Sequence, residues 1–460
     1  MTTISSFFAE NRKIFFFLLS LLLAFGISWL VHEPTYTQAQ TYVLFLLIFS
    51  VGLWLTEAVP PFAVGLLIIA FLVYSLGYEK FTTNPVDVNI YTNTFSSSVI
   101  WLMLGGFFLA SAMTKTKLDV SFIKVTLKVC GSNPKWILFG MMSVTMIASM
   151  LISNTATTAM MVAVLMPILA KLDKESKTGK ALILGIPIAA ATGGMGTMIG
   201  SPPNAIAAGA LINSHQPINF VTWIYYGLPV AFSLSLLAWW VLVKIYMEET
   251  TPFKFVKIEV TEEKTDSQNS FHRWIVIIIL LITLLLWLTS PLHGLSAAAV
   301  SAVPLVFLPL TGILTGNDIR AIGWDTLILV AGGLALGIGL QEVGLLDLYA
   351  IRISSFQIPT IILFFLFAYS TMLFSNIMSN TATSTVLIPL GMAILPNNVT
   401  EIAMIIGLSA STALFLPVST PPNAIAFSTG YIQQKDFRLG GALIGLFGPA
   451  IIVLWVLLIS

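Results

Sequence analysis

Charged side chains are scarce in this sequence. Asp, Glu, Lys and Arg make up 9% of its 460 residues, against roughly 25% in a water-soluble globule, so a soluble fold is excluded. With a net charge of +1 and no basic patch interleaved with aromatics, nucleic acid is excluded as a partner. Cysteine occurs once, at Cys130, which rules out an internal disulfide and any cysteine-built metal site and leaves packing as its expected role. The four histidines, His32, His215, His272 and His293, are scattered near the ends of apolar runs and form no metal-binding spacing. No HExxH, P-loop, acidic dyad or nucleophile–base pair falls at membrane depth, so neither an enzyme nor a resident cofactor is expected. Glu57 and Asp325 lie near expected helix ends and read as capping or structural charges.

What is abundant is apolar sequence: 57% of residues are hydrophobic, and the mean hydropathy is +0.94. This composition predicts an all-α polytopic membrane protein. The first apolar run, 14–31, follows Arg12 and Lys13 but has no small-residue cleavage site before His32, so it reads as a retained helix. Further runs at 41–57, 60–77, 98–114, 181–213, 219–243, 274–290, 294–313, 325–341, 399–430 and 440–459 bring the expected crossings to eleven.

The chain is built twice. Ser153-Asn154-Thr155-Ala156-Thr157 returns as Ser379-Asn380-Thr381-Ala382-Thr383, and Ser201-Pro202-Pro203-Asn204-Ala205 is answered by Thr420-Pro421-Pro422-Asn423-Ala424. Weaker echoes pair Gly105-Gly106 with Gly332-Gly333 and Trp54-Leu55-Thr56 with Trp287-Leu288-Thr289. The stretch between Lys135 and Lys171 is shorter than the roughly 40 residues that two crossings need. It is therefore expected to enter and return as a re-entrant hairpin.

Starting with the N-terminus in the cytoplasm, only Lys80 and Arg352 of the 21 Lys and Arg residues fall outside, as the positive-inside rule requires. Lys115, Lys117, Lys124, Lys128 and Lys135 precede the first hairpin, and Lys171, Lys174, Lys177 and Lys180 follow it. The first hairpin then enters from the cytoplasm and the second from outside, giving an inverted repeat. The expected layout is an extra helix in 1–40, a first repeat over 41–247 and a cytoplasmic linker at 248–272, followed by a second repeat over 273–460 with an external C-terminus. The repeats carry hairpins at 134–171 and 358–395 and broken helices at 181–213 and 399–430, because paired prolines cannot continue the helical ladder.

Hairpin tips and helix breaks bring several helix ends to membrane depth, where N-termini favour anions and unwound carbonyls favour cations. The residues there are Ser, Asn and Thr, able to donate to a carboxylate or to offer oxygen to a hard cation such as Na⁺. Ser149 and Ser375, one turn before the two motifs, are further candidate cation ligands, and Gly193, Gly194, Gly196 and Gly200 leave backbone accessible. Singly, such residues are more often helix–helix glue; their duplication points to a central site.

The paired motifs, each followed by a Pro-Pro-Asn segment, resemble the divalent-anion/sodium symporter family, the INDY-type di- and tricarboxylate carriers, over nearly the whole chain. The resemblance implies a homodimer in the plasma membrane, each protomer having scaffold and transport domains and working as an elevator. It implies a substrate site of Ser153, Asn154, Thr155, Ser379, Asn380 and Thr381 with Ser201, Thr420 and Pro421. It also implies one sodium site of Ser149, Ser153, Asn154 and Gly200, and another of Ser375, Met378 through its carbonyl, Asn380 and Ser419. Asn376 departs from the repeat, since Met150 stands at the matching place, and bears on ion coupling. The expected activity is secondary transport of C4–C5 dicarboxylates (succinate, malate, fumarate and 2-oxoglutarate) coupled to sodium. Sodium-independent dicarboxylate exchange is the alternative, with tricarboxylate or sulfate carriage and a channel behind it.

Overall fold

The computed structural model describes residues 11–118, 133–170, 172–173, 176–247 and 267–460. Cys130, Lys124, Lys128, Lys171, Lys174 and residues 248–266 of the expected linker lie outside these. Among the described residues every regular element is helical. The first four major helices are α1 (Arg12–Val31), α2 (Gln38–Thr56), α3 (Pro61–Leu76) and α4 (Ser98–Lys115). Next come α5 (Pro134–Ser149), α6 (Asn154–Leu169), α7 (Lys177–Gly194), α8 (Pro202–Asn213), α9 (Phe220–Tyr246) and α10 (Ser267–Leu288). The remainder are α11 (Ala302–Leu310), α12 (Trp324–Glu342), α13 (Leu345–Ser354), α14 (Thr360–Ile377), α15 (Asn380–Ile394), α16 (Val399–Ser409), α17 (Pro421–Ser428) and α18 (Gln434–Ile459).

Local chemistry sets several boundaries. Thr37 and Gln40 form a reciprocal capping box at the start of α2. Asn133 caps α5 ahead of Pro134, whose missing N–H costs nothing in the first turn. Glu57, at φ 49°, closes α2 in the left-handed region, and Asp325 sits in the first turn of α12; both are exposed ends, as their positions in the sequence suggest.

Among the described residues eight helices are long and apolar enough to cross a membrane, and one of these is α14, the first arm of the second expected hairpin. Other expected crossings are shorter or interrupted: the 181–213 run divides into α7 and α8, and 399–430 into α16 and α17. The reason is the paired prolines, which start a new helix rather than extend the old one.

The chain gathers into two compact units. One comprises residues 1–100, 205–217 and 323–410, the other 101–204, 218–322 and 411–460, so each draws on both halves of the sequence. In the first unit α3 packs on α12, and a Cβ at Gly332 would fall on the Gly65 backbone. One at Gly333 would lie 2.5 Å from Thr385 Oγ1. Small residues here let backbones approach, as in other helix contacts without water to drive them. In the second unit α7 is the centre: every residue from Ala181 to Gly194 is buried, as expected of a helix that is apolar all round. A Cβ at Gly193 would meet the Met146 backbone of α5. The glycines of the echoed pairs are thus packing positions: Gly105 faces Ser301, with 2.6 Å left for a Cβ.

Gly332→Ala should force α3 and α12 apart and lower stability by about 2 kcal/mol, in the range of over-packed cores. Gly26→Ala, with nothing within 4 Å of the added Cβ, should cost none. Thermal unfolding of the two purified variants checks this pair.

Candidate functional site

α5 and α6 pack against each other as the arms of a hairpin joined by residues 150–153. Its tip sits beside the interruption between α7 and α8, where the unwound backbone is tied by side-chain hydrogen bonds, while Asn204 Oδ1 and the hydroxyls of Thr157 and Thr158 are buried without a partner. Ser153 Oγ accepts from the Ala156 N–H at 3.2 Å and so caps α6. Thr197 Oγ1 donates to the Met150 carbonyl at 2.5 Å, tying the break to the tip, and accepts from the Gly200 N–H at 3.1 Å. Asn204, wholly buried, donates from Nδ2 to the Gly194 and Thr197 carbonyls, each at 2.7 Å. Trp223 Nε1 takes the Met195 carbonyl at 3.0 Å. Unwound backbone is tolerated in apolar surroundings because these side chains satisfy it.

The same structure recurs at the second break. Asn423 Nδ2 donates to the Leu416 carbonyl at 2.9 Å and to the Leu414 carbonyl and Ser419 Oγ, both at 3.3 Å. Ser419 Oγ donates to the Leu416 carbonyl at 2.8 Å, with the Ala413 carbonyl at 3.2 Å. Thr420 caps α17 through the Asn423 N–H, with Pro421 as the first residue of that helix. α17 packs on α6 and α7, within the second unit.

Three residues of the first expected ion site converge. Ser149 Oγ lies 2.5 Å from the Asn154 amide and donates to the Ala190 carbonyl at 2.8 Å. The same amide end lies 3.0 Å from the Ala190 oxygen and 3.2 Å from the Gly200 oxygen. A hydroxyl and two carbonyls surround one amide, an uncharged set that is all-oxygen, and suits a hard cation, when the amide oxygen is turned inward. The Ser153 hydroxyl is instead engaged in capping, though its proton remains free to donate to an anion. Thr155 is exposed and Ser201 buried.

In the first unit, α14 and α15 form the second hairpin. Ser379 caps α15 by accepting from the Ala382 N–H at 3.1 Å. Ser375 Oγ and Asn380 Oδ1 are buried with no hydrogen-bond partner, so they fit a cation by the donors they lack. Thr381 and Met378 are buried, and Asn376 turns back to the Met372 carbonyl of its own helix at 2.9 Å. Reading residues alone misses Ala190, whose contribution is a carbonyl with no side-chain signature. It also misses the work of Asn204 and Asn423, although the asparagine after each double proline was the available signal.

Spanning-length apolar helices, two tip-bearing hairpins and two interrupted helices make this a membrane transporter. Residues 12–459 match the family model described as the sodium:sulfate symporter transmembrane region. The chain belongs to that family, the divalent-anion/sodium symporters that its paired motifs resemble. It is similar to an uncharacterized transporter of Haemophilus influenzae, 32% identical over 88% of each chain. It is also 28% identical to the sodium-dependent dicarboxylate transporter SdcS of Staphylococcus saprophyticus, over 94% of this chain and 88% of that one. The sodium-dependent high-affinity dicarboxylate transporter 3 of Caenorhabditis elegans is likewise 28% identical, over 85% and 78%. Among solved structures, the fold is similar to the YdaH transporter of Alcanivorax borkumensis, with TM-score 0.55, 14% identity and coverage of 86% and 98%.

Asn204→Ala should leave the Gly194 carbonyl without the Asn204 donor and the Thr197 carbonyl with only the Gly200 N–H at 3.3 Å, and cost about 2 kcal/mol, the scale of buried unsatisfied groups. Asn204→Asp should fail to rescue it, since a carboxylate cannot donate. Denaturant unfolding of both variants measures the loss.

Proposed function

We propose that this chain carries C4–C5 dicarboxylates, namely succinate, malate, fumarate and 2-oxoglutarate, together with sodium by elevator-type alternating access. It does so as a homodimer in the plasma membrane, with eleven crossings and two re-entrant hairpins per protomer arranged as an inverted repeat. Scaffold and transport domains divide the work, the N-terminus is cytoplasmic and the C-terminus external. The observation that carries the reading is the Asn154 amide held among the Ser149, Ala190 and Gly200 oxygens at a hairpin tip. The names of the staphylococcal and nematode relatives agree with both cargo classes.

The chemistry follows from the lack of charge in the two repeated motifs. A dianion in apolar surroundings needs its charge offset, and a cation about 4 Å away supplies about 4 kcal/mol at an effective dielectric of about 20. Ser153, Asn154, Thr155 and Ser201 in the first half, with Ser379, Asn380, Thr381, Thr420 and Pro421 in the second, hold the carboxylates. They do so through hydroxyl protons, amide N–H groups and the free backbone N–H groups at the starts of α6 and α15, whereas α8 and α17 open on paired prolines that have no N–H. Sodium sits with Ser149, Ser153, Asn154 and Gly200, and again with Ser375, Met378, Asn380 and Ser419. Because Asn154 and Asn380 serve ion and substrate together, bound sodium raises the affinity for the dicarboxylate.

Reconstituted protein should therefore take up labelled succinate against its gradient when sodium is imposed from one side. Asn154→Ala and Asn380→Ala should each reduce uptake at least about tenfold while the protein remains folded. Undiminished uptake in choline would replace symport with sodium-independent exchange, and absence of succinate transport in every condition would remove the substrate class.

The inverted repeat makes a separate prediction. In a Cys130→Ser background, Thr178→Cys should react with impermeant thiol reagent from the cytoplasmic side and Asn398→Cys from the outside. Labelling of both from one side would overturn the opposed hairpins.

A further inference from the structure

The two halves treat their ion-facing oxygens differently. In the first, hydrogens can be counted around the Asn154 amide. Ser149 has one hydroxyl proton, and the Ala190 carbonyl takes it at 2.8 Å. With Nδ2 directed inward, Asn154 gives one proton to Ser149 Oγ at 2.5 Å and one to the Gly200 carbonyl at 3.2 Å, with Ala190 O at 3.0 Å. Every oxygen then has a donor. With Oδ1 directed inward, the Ser149 proton is the one side-chain donor for the set, and the amide oxygen faces two carbonyl oxygens. That arrangement is stable when a cation stands among them. Gly194 leaves room for either orientation, since a Cβ there would come within 2.5 Å of Oδ1 and 2.9 Å of Nδ2.

In the second half no such internal hydrogen bond forms among the described residues. Ser375 Oγ and Asn380 Oδ1 are both buried without a partner. One turn earlier on α14, Thr371 Oγ1 bonds back to the Phe367 carbonyl at 2.6 Å, the usual resort of a helical hydroxyl. Ser375 makes no such bond, so it carries its desolvation penalty until something from outside satisfies it.

We propose that the two ion sites are unequal by construction: the Asn154 amide nitrogen takes the cation's place in the first, while the second has no substitute and therefore binds sodium more tightly. This rests on the sodium-coupled reading above. Loading is then ordered. The Ser375–Asn380 site fills at low sodium, and the Ser149–Asn154 site fills later, when the amide turns over.

The test is thermal unfolding of the purified full chain in choline and along a sodium titration. In choline, Ser149→Ala should lower the midpoint by about 2 °C or more, because it removes a used hydrogen-bond partner. Ser375→Ala should leave the midpoint unchanged or raise it, because it deletes an unsatisfied one. In the titration, wild type should show two phases separated by at least about tenfold in sodium, Ser375→Ala losing the tight phase and Ser149→Ala the weak one. Asn154→Asp keeps the oxygen and loses the donor, so it should unfold earlier in choline and tighten the weak phase. Equal choline midpoints for wild type and Ser149→Ala, or a lowered midpoint for Ser375→Ala alone, would overturn the proposal. So would a tight phase that survives Ser375→Ala and vanishes in Ser149→Ala. A wild-type midpoint indifferent to sodium would remove the sodium reading itself, while the choline comparison still decides whether the Asn154 amide fills its own site.

Discussion

A backbone amide or carbonyl released from a helix in apolar surroundings must find another partner, and the rest of this molecule depends on how that demand is met. The paired prolines release such groups at two places. Asn204 and Asn423, three residues into the motifs that cause the breaks, return their side chains to the carbonyls left behind. The interruption and its repair are encoded together. What remains after that repair is available for cargo: the Gly200 carbonyl beside the Asn154 amide and the first N–H groups of α6 and α15.

Close packing keeps these ends in place. The buried length of α7 fixes the position of the first break, and glycines at Gly193 and Gly194 admit the hairpin against it. In the other unit Gly332 and Gly333 do comparable work for α3 and for Thr385 of α15. A site made of neutral groups relies on position more than on charge, since each Ser or Asn dipole is worth little unless its partners are held at the right distance. Gly-rich packing and an uncharged site therefore belong to the same solution.

Much of the organisation was legible before any coordinates. Duplicated Ser-Asn-Thr and Pro-Pro-Asn segments identify where helices stop, because stopping a helix is a local matter of proline, capping hydroxyls and glycine. The observed starts of α6, α8, α15 and α17 at Asn154, Pro202, Asn380 and Pro421 follow from those residues. The grouping of the chain into two units, each mixing segments from both halves, had no such local signal. Nor did Ala190, whose carbonyl joins the Asn154 cluster through the path of α7 alone.

By itself, then, the sequence determined the membrane setting, the family, the repeat and the identity of the polar ends, all of which depend on composition or on neighbours along the chain. The tertiary structure decided which of those ends meet. Ser149, Asn154 and Gly200 come together because α7 is buried against α5 and α6, while the Ser153 hydroxyl is drawn into a cap and the Ser375 hydroxyl is buried without a partner. Convergence of that kind is set by long-range packing, where distances of a few tenths of an ångström separate a hydrogen bond from an unsatisfied group, and no spacing along a chain records them.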